Sequence, residues 1–233
     1  MKKLLLTLLI LFFTFTSNVG WSADFYKGLE AAERGDFATA LSEWKPLAEE
    51  GDSTSQYNLG QMYAQGKGMP KDYKTAVKWY TLAAEQGLDF AQFALSNLYL
   101  EGQGVTQNYK TAVKWLTLAA EQGFVDAYFN LGMRYVQGEG VIQDFKAAAK
   151  WYKLAAENGE IKAQVNLSVA YASGEGVIQD MVYAHMWANI AASNGTENAV
   201  NLREALSKEM TSTDISKAQN LARECVAKNY KGC

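Results

Sequence analysis

A repeat of 36 residues runs through most of this 233-residue chain, and it constrains the fold more than any other feature. Glycine, tryptophan and tyrosine each return at this step, so the repeat includes both turn-forming and core-forming residues. The period defines four units, at residues 51–86, 87–122, 123–158 and 159–194. The recurring positions are Gly51, Gly87, Gly123, Gly159 and Gly195; Trp79, Trp115, Trp151 and Trp187; and Tyr63, Tyr99, Tyr135 and Tyr171. Such a chain is expected to build one structural unit several times and to stack the copies.

Each unit carries two helical patterns. In the second unit, Ala91, Leu95 and Leu98 follow one stripe of a helix, and a second pattern begins after Asn108. The residues at this position are good N-caps, and the glycine that ends each unit is a good helix stop. The N-caps are Asp72, Asn108, Asp144 and Asp180, and the stops are Gly87, Gly123, Gly159 and Gly195. Because one helix pair cannot bury its apolar face alone, the sequence predicts an all-α fold, an α-solenoid of stacked helix pairs.

The segments on either side of the four units are predicted to cap the two ends of the array. Residues 24–50 form a degenerate first unit that lacks the long loop between its two helices. Residues 195–233 predict two further helices, Thr196–Met210 and Thr213–Lys228, which are more polar than the repeats. A polar capping pair is what the open end of a solenoid needs.

Residues 1–23 have the pattern of a secretory signal peptide. Two lysines precede an apolar run, and small residues follow it. The cleavage position is after Ser22 or Ala23, and an uncleaved anchor is the alternative. The apolar run is short for a membrane span, so we expect no stable span after cleavage and a periplasmic or secreted protein. Removing Lys2 and Lys3 changes the formal net charge from −3 to −5, which does not favour nucleic acid as a partner.

Both cysteines lie at the end of the chain, at Cys225 and Cys233. An exported chain with an even cysteine count predicts one disulfide, with an intermolecular bridge or free thiols as alternatives. Eight residues of helix would hold the pair about 12 Å apart, beyond the reach of a disulfide. The last helix must therefore end before Cys233, and Gly232 is a suitable stop.

The units resemble Sel1-like repeats, which are longer-looped relatives of tetratricopeptide repeats. The matching positions in the second unit are Ala91, Leu95, Tyr99, Gly102, Gly104, Val105, Asn108, Tyr109, Ala112, Trp115, Ala119, Ala120 and Gly123. Ser55, Met69 and Met181 depart from the pattern in other units. The resemblance implies a right-handed superhelix, that is a right-handed α-solenoid, whose first helices line a concave face. It also implies an adaptor that assembles other proteins. Some exported relatives with a cysteine pair inside each repeat are linked to penicillin or peptidoglycan-like ligands, but this chain has no such pairs.

The sequence offers no recognisable catalytic, metal or cofactor site. The one histidine, His185, occupies a position held by Val77, Val113 and Ala149 elsewhere, which favours a packing role. It has no nearby cysteine or second histidine for a metal and no nucleophile motif. We therefore expect a protein that is not an enzyme and needs no cofactor.

The repeated stretch GEGVIQD, at Gly138–Asp144 and Gly174–Asp180, reads as a turn between helices. Its central acid becomes Lys67 or Gln103 in the other units, which a calcium loop would not tolerate. The third glycine of a phosphate-binding loop is also missing. The two glycines permit the turn, and the final aspartate caps the next helix.

An aromatic and amide stripe on the first helices is the candidate protein-binding face. Its members lie on the side of the helix away from the core leucines. They could line a groove for a peptide or helix, or they could pack against the next unit. The proposed residues are Tyr57, Gln61, Phe93, Asn97, Phe129 and Met133, and the stripe continues at Val165 and Val169.

A second stripe, of lysines, keeps the repeat on the second helices. Solvated lysines whose stems cover apolar surface are the first interpretation, and an acidic partner or anionic lipid is the alternative. Its members are Lys74, Lys78, Lys110, Lys114, Lys146 and Lys150.

The sequence therefore predicts an exported, monomeric scaffold that binds an unidentified protein or peptide, in the bacterial envelope. The alternative is a protein that binds cell-wall glycan or β-lactam, with weak hydrolase activity. Neither the partner nor the pathway follows from the residues.

Overall fold

The computed structural model describes residues 23–233, which form twelve α-helices and no β-strand. The predicted signal peptide lies almost wholly outside these residues. In the part of the chain that is described, no helix is both long and apolar enough to cross a membrane. The helices are α1 (Phe25–Glu33), α2 (Phe37–Glu49), α3 (Ser53–Gln65), α4 (Tyr73–Glu85), α5 (Asp89–Glu101), α6 (Tyr109–Glu121), α7 (Val125–Gln137), α8 (Phe145–Ala156), α9 (Ile161–Ser173), α10 (Met181–Ala192), α11 (Glu197–Lys208) and α12 (Ser212–Ala227).

Successive helices pack pairwise in chain order, from α1 on α2 to α10 on α11. This arrangement confirms the predicted α-solenoid. The second helix of each unit begins at the predicted cap, since the side chains of Asp72, Asn108, Asp144 and Asp180 accept from backbone amides of the first turn. The glycines after these helices, at 87, 123, 159 and 195, have positive φ, as a helix stop requires.

The core lies between the two layers of helices. Small alanines and leucines fill it, which lets neighbouring backbones approach closely. Its fully buried leucines keep the repeat step, at Leu59, Leu95, Leu131 and Leu167. Each tryptophan of the second helices packs toward the preceding unit, as Trp115 does against the cluster that contains Ala84 and Leu95.

The C-terminal helix departs from the pattern of the array. α12 packs chiefly against α10, whereas every earlier second helix packs against the first helix of its own unit. The sequence predicted α12 well in length but did not predict this placement. Ala222 and Cys225 of α12 belong to the same buried cluster as Trp187 and Ile190 of α10.

A disulfide joins Cys225 to Cys233, with the two Cα atoms 5.6 Å apart. The predicted helix stop is displaced, because α12 already ends at Ala227 and the chain turns at Asn229 and Tyr230, which have φ of 49° and 66°. The tail then reaches back to the turn that follows α8, where Lys231 Nζ donates to Asn158 Oδ1 over 2.9 Å. The disulfide therefore holds a short tail against the second helices of the last two units.

Candidate protein-binding groove

The six residues proposed from the sequence lie on three successive first helices. α3 carries Tyr57 and Gln61, α5 carries Phe93 and Asn97, and α7 carries Phe129 and Met133. The two members of each pair are four residues apart, so they share one stripe of their helix. All six residues are partly buried and partly accessible to solvent.

The aromatic members of the stripe also contact neighbouring units. The Tyr57 ring lies 5.9 Å from that of Phe90, and the Phe93 ring lies 5.0 Å from that of Phe124. Phe129 contacts Tyr152 of the second helix of its own unit at 5.8 Å. Gln61 Nε2 donates to the hydroxyl of Tyr57, which fixes the tyrosine ring. Packing and partial exposure therefore coexist at each aromatic, and the two interpretations of the stripe are not exclusive.

A groove opens at the C-terminal end of this stripe, between α7, α9 and the start of α11. Its volume is about 500 Å³, and Phe129 and Met133 form part of its floor. Tyr57, Gln61, Phe93 and Asn97 do not line it. The remaining lining residues are Val136, Gln137, Tyr152, Ile161, Lys162, Val165, Asn166, Thr196 and Asn198.

A second hollow of about 170 Å³ adjoins the groove and extends it toward Phe145 and Glu175. Val136, Tyr152 and Asn166 line both hollows, so the two form one continuous surface depression. Burial raises the pKa of the Tyr152 hydroxyl, and a hydrogen bond with Asn166 and the charge of Arg134 oppose that shift. Tyr152 is therefore a neutral phenol at physiological pH, and the shared wall of the two hollows carries no charge.

The lining of the groove defines what it can do. Aliphatic and aromatic side chains make the floor, while Asn166, Asn198 and Gln137 supply amides that can both donate and accept. Lys162 contributes the one charge of the larger hollow. Within residues 23–233, no group of three or more histidine, cysteine or acidic side chains could hold a metal ion. An apolar floor with amide groups is a lining that can bind a polypeptide segment.

Sequence reasoning missed several lining residues that the repeat could have revealed. Val136 keeps the 36-residue step with the apolar residues Ala64, Leu100 and Ala172. Asn166 keeps the same step with Asn130. Thr196 and Asn198 come from the start of the capping helix α11, which lies beyond the four units in which the repeat was read.

His185 lies in the core, as the sequence predicts. Its side chain is 1 % exposed, and its Nε2 atom lies 2.9 Å from Ser207 Oγ of α11. Burial lowers the pKa of His185, and the nearby charge of Arg203 adds to that effect. The residue is remote from the groove lining and connects α10 to α11.

Comparisons with known proteins agree with this architecture. The family model described as Sel1 repeat matches four times, at residues 53–88, 89–124, 125–160 and 161–196. These matches start two residues later than the units defined by the glycines. No curated protein sequence matches the chain.

Two solved structures are similar over most of the chain. The crystal structure of a Sel1 repeat protein from Oxalobacter formigenes is 29% identical, covers 88% of this chain and 85% of its own, and has a TM-score of 0.75. The crystal structure of c5321, described as a protective antigen of uropathogenic Escherichia coli with an SLR fold, is 28% identical, with a TM-score of 0.54. That alignment covers 90% of this chain and 56% of c5321. With four matched repeats over more than half of its length, the chain belongs to the Sel1 repeat family.

Proposed function

We propose that this protein is an exported, non-enzymatic Sel1 repeat scaffold whose groove between α7, α9 and α11 binds a segment of another protein. The observation that carries the proposal is the continuous apolar depression with amide groups on its rim. Its larger hollow lies within the range of about 300–1,000 Å³ that is usual for binding sites.

The lining suggests how a peptide segment would be held. Phe129, Met133 and Val165 offer an apolar floor, on which the partner's side chains would lose contact with water. Asn166 stands where the two hollows meet, and its amide can pair with the backbone of an extended segment. Two apolar side chains of the partner, one in each hollow, would give the complex its register.

Export and envelope location rest on the sequence and on the cysteines. Residues 1–23 have the order of charged, apolar and small residues that signal peptidases recognise. The Cys225–Cys233 disulfide suits an oxidising compartment such as the periplasm or the exterior.

Photo-crosslinking in the native envelope tests the groove. A photoreactive amino acid in place of Gln137, at the rim, should give a discrete crosslinked protein. Phe129→Asp or Val165→Asp should abolish that product, because each places a charge on the apolar floor. Ile142→Asp is the matched control, since Ile142 is 90% exposed on a loop outside the groove. Loss of the product with the control, or its persistence in both groove variants, would contradict the proposal.

The glycan or β-lactam alternative makes a different prediction. Purified protein would then sediment with cell-wall sacculi or hydrolyse a β-lactam, and Phe129→Asp would reduce that binding. If the wild-type protein does neither, this alternative is wrong.

A further inference from the structure

The exposed side of the second helices carries a three-fold pattern of two lysines followed by a leucine. Positions four and eight residues apart share one stripe of a helix, so each set lies along a single line. All six lysines are exposed, Leu82 and Leu154 are 45% and 39% exposed, and Leu118 is partly buried. The sets are Lys74, Lys78 and Leu82 on α4; Lys110, Lys114 and Leu118 on α6; and Lys146, Lys150 and Leu154 on α8. We call this surface the lysine–leucine face.

The ion pairs found within residues 23–233 leave these six lysines without a carboxylate partner. The acidic N-caps of α4 and α8 are Asp72 and Asp144, and their side chains already accept from backbone amides. Lys114 Nζ lies 5.4 Å from the centre of the Trp115 ring. Six positive charges therefore gather on one side of a chain whose formal net charge is −3.

In the fourth unit the equivalent stripe is apolar, and another helix of the chain covers it. The equivalent residues on α10 are Val182, Met186 and Ile190. Met186 and Ile190 are each 2% exposed, because Ala222 and Cys225 of α12 pack in the same cluster. The same position of the array is thus a helix-docking surface in the fourth unit, and the chain supplies the helix itself.

On the lysine–leucine face, equivalent residues of the three helices lie side by side and form parallel bands that run along the array. The lysines form one band, the leucines form the next, and Glu85, Glu121 and Glu157 follow on the same stripes. A flat anionic bilayer would meet the acidic band as well as the basic one. A narrow segment that runs across the three helices would meet the lysines and leucines and avoid the glutamates.

We propose that the lysine–leucine face binds an acidic, partly apolar protein segment that crosses α4, α6 and α8 beside α12. Its carboxylates contact the lysines, and its apolar side chains cover the leucines. The partner's negative charge is inferred from complementarity with the lysines, which have no carboxylate partner in the part of the chain that the structure describes. Its narrow, extended shape is inferred from the narrow band of lysines and leucines, and from α12, a single helix that covers the equivalent stripe of the fourth unit. This inference does not rest on the groove, because none of these lysines and leucines lines either hollow.

A peptide-binding experiment on the folded chain without residues 1–23 tests the proposal. The probe is a fluorescent peptide of alternating glutamate and leucine pairs, and its control replaces every glutamate with glutamine. We expect the acidic peptide to bind, with affinity that falls as salt rises, and the glutamine peptide to bind at least tenfold more weakly.

Charge-matched variants locate the binding. Lys78→Gln, Lys114→Gln and Lys150→Gln together should weaken binding about tenfold, as three exposed charge contacts would. Lys45→Gln, Lys208→Gln and Lys217→Gln together make the same change in net charge outside the face and should weaken binding less than about twofold. Leu82→Gln with Leu154→Gln tests the apolar band without a change in charge and should also weaken binding.

Three outcomes would overturn the proposal. Equal losses in the two lysine variants would indicate non-specific attraction. Absence of peptide binding would exclude an acidic segment. Binding to phosphatidylglycerol vesicles but not to the peptide, with loss only in the Lys78, Lys114 and Lys150 variant, would assign the face to lipid instead.

Discussion

Gln92, which is buried, and Gln122, which is exposed, form an amide pair that links the helices of the second unit to the unit before it. Gln122 Nε2 donates to Gln92 Oε1 over 2.8 Å, and Gln92 Nε2 donates to the carbonyl oxygen of Ala84 over 3.2 Å. The first unit has the same series of hydrogen bonds: Gln86 Nε2 donates to Gln56 Oε1, and Gln56 Nε2 donates to the carbonyl oxygen of Ala48. Because Gln92 is 3% exposed, its own amide is cut off from water and depends on its two protein partners, Gln122 and Ala84.

Replacing Gln92 with leucine should therefore destabilise the fold in spite of the added apolar surface. The change removes two hydrogen bonds of Gln92, one to the Ala84 carbonyl oxygen and one from the Gln122 amide, each of which stabilises the fold by about 0.5–1.5 kcal/mol. Urea titration followed by circular dichroism measures the free energy of unfolding. Gln65→Leu is the control, since Gln65 is exposed at the end of α3, and it should change that free energy by less than about 0.5 kcal/mol. Equal effects would mean that the amide pair contributes nothing specific.

The fourth unit has the same glutamine but an incomplete pair. Gln164 Nε2 donates to Ala156 O over 3.3 Å, while its Oε1 atom is buried with no hydrogen-bond partner. The residue in the place of Gln86 and Gln122 is Asn194, which is one methylene shorter. The shorter side chain accounts for the missing bond.

Asn194→Gln should complete the pair and raise the free energy of unfolding by about 0.5–1.5 kcal/mol. The same denaturation experiment measures it. In a Gln164→Leu background, Asn194→Gln should have no such effect, because the acceptor has gone. A gain that persists in that background would assign the stabilisation to another contact.

The repeat predicted the regular parts of this fold because the same physical constraints recur in each unit. Caps, helix stops and core leucines all follow from local sequence, and the structure has them at the expected residues. The docking of α12 on α10 could not be predicted from the repeat. It depends on Met186, which stands where the other units have a lysine, and on complementary packing between two segments that are distant in the sequence. The groove was predicted only in part, since Phe129 and Met133 face a hollow that the capping helix helps to close.

Gly140 is the position where the long loop touches the preceding unit. A Cβ atom there would lie 2.3 Å from the carbonyl oxygen of Tyr109, and φ is 79°. Gly140→Ala should therefore lower the free energy of unfolding by more than about 3 kcal/mol, through both a backbone clash and strain. Gly87→Ala isolates the strain, since Gly87 has φ of 92° and no atom within 4 Å of the added carbon, and it should cost about 1–2 kcal/mol. Similar losses of unfolding free energy for the two variants would show that the loop moves away from the added Cβ atom, so that the clash contributes nothing.

His185 gives the C-terminal cap a dependence on pH. Burial and the charge of Arg203 lower its pKa below the ordinary value of 6.5, so the unfolded chain takes up a proton before the folded one does. Stability is therefore complete above pH 6.5 and decreases as the pH falls from 6.5 toward the folded-state pKa. Thermal unfolding across this range should show the decrease in the wild-type chain.

His185→Val should remove the histidine's part of that decrease, because valine stands at the equivalent positions 77 and 113 and does not titrate. It also removes the buried Nδ1 atom that lacks a hydrogen-bond partner, so stability above pH 6.5 should stay the same or increase. Since His185 is the only histidine of the chain, the difference between the two pH profiles near pH 6 belongs to this residue. Identical slopes in both proteins would contradict the assignment, because the capping carboxylates act at lower pH: hydrogen bonds with Thr75 lower the pKa of Asp72 below its ordinary value of 3.8.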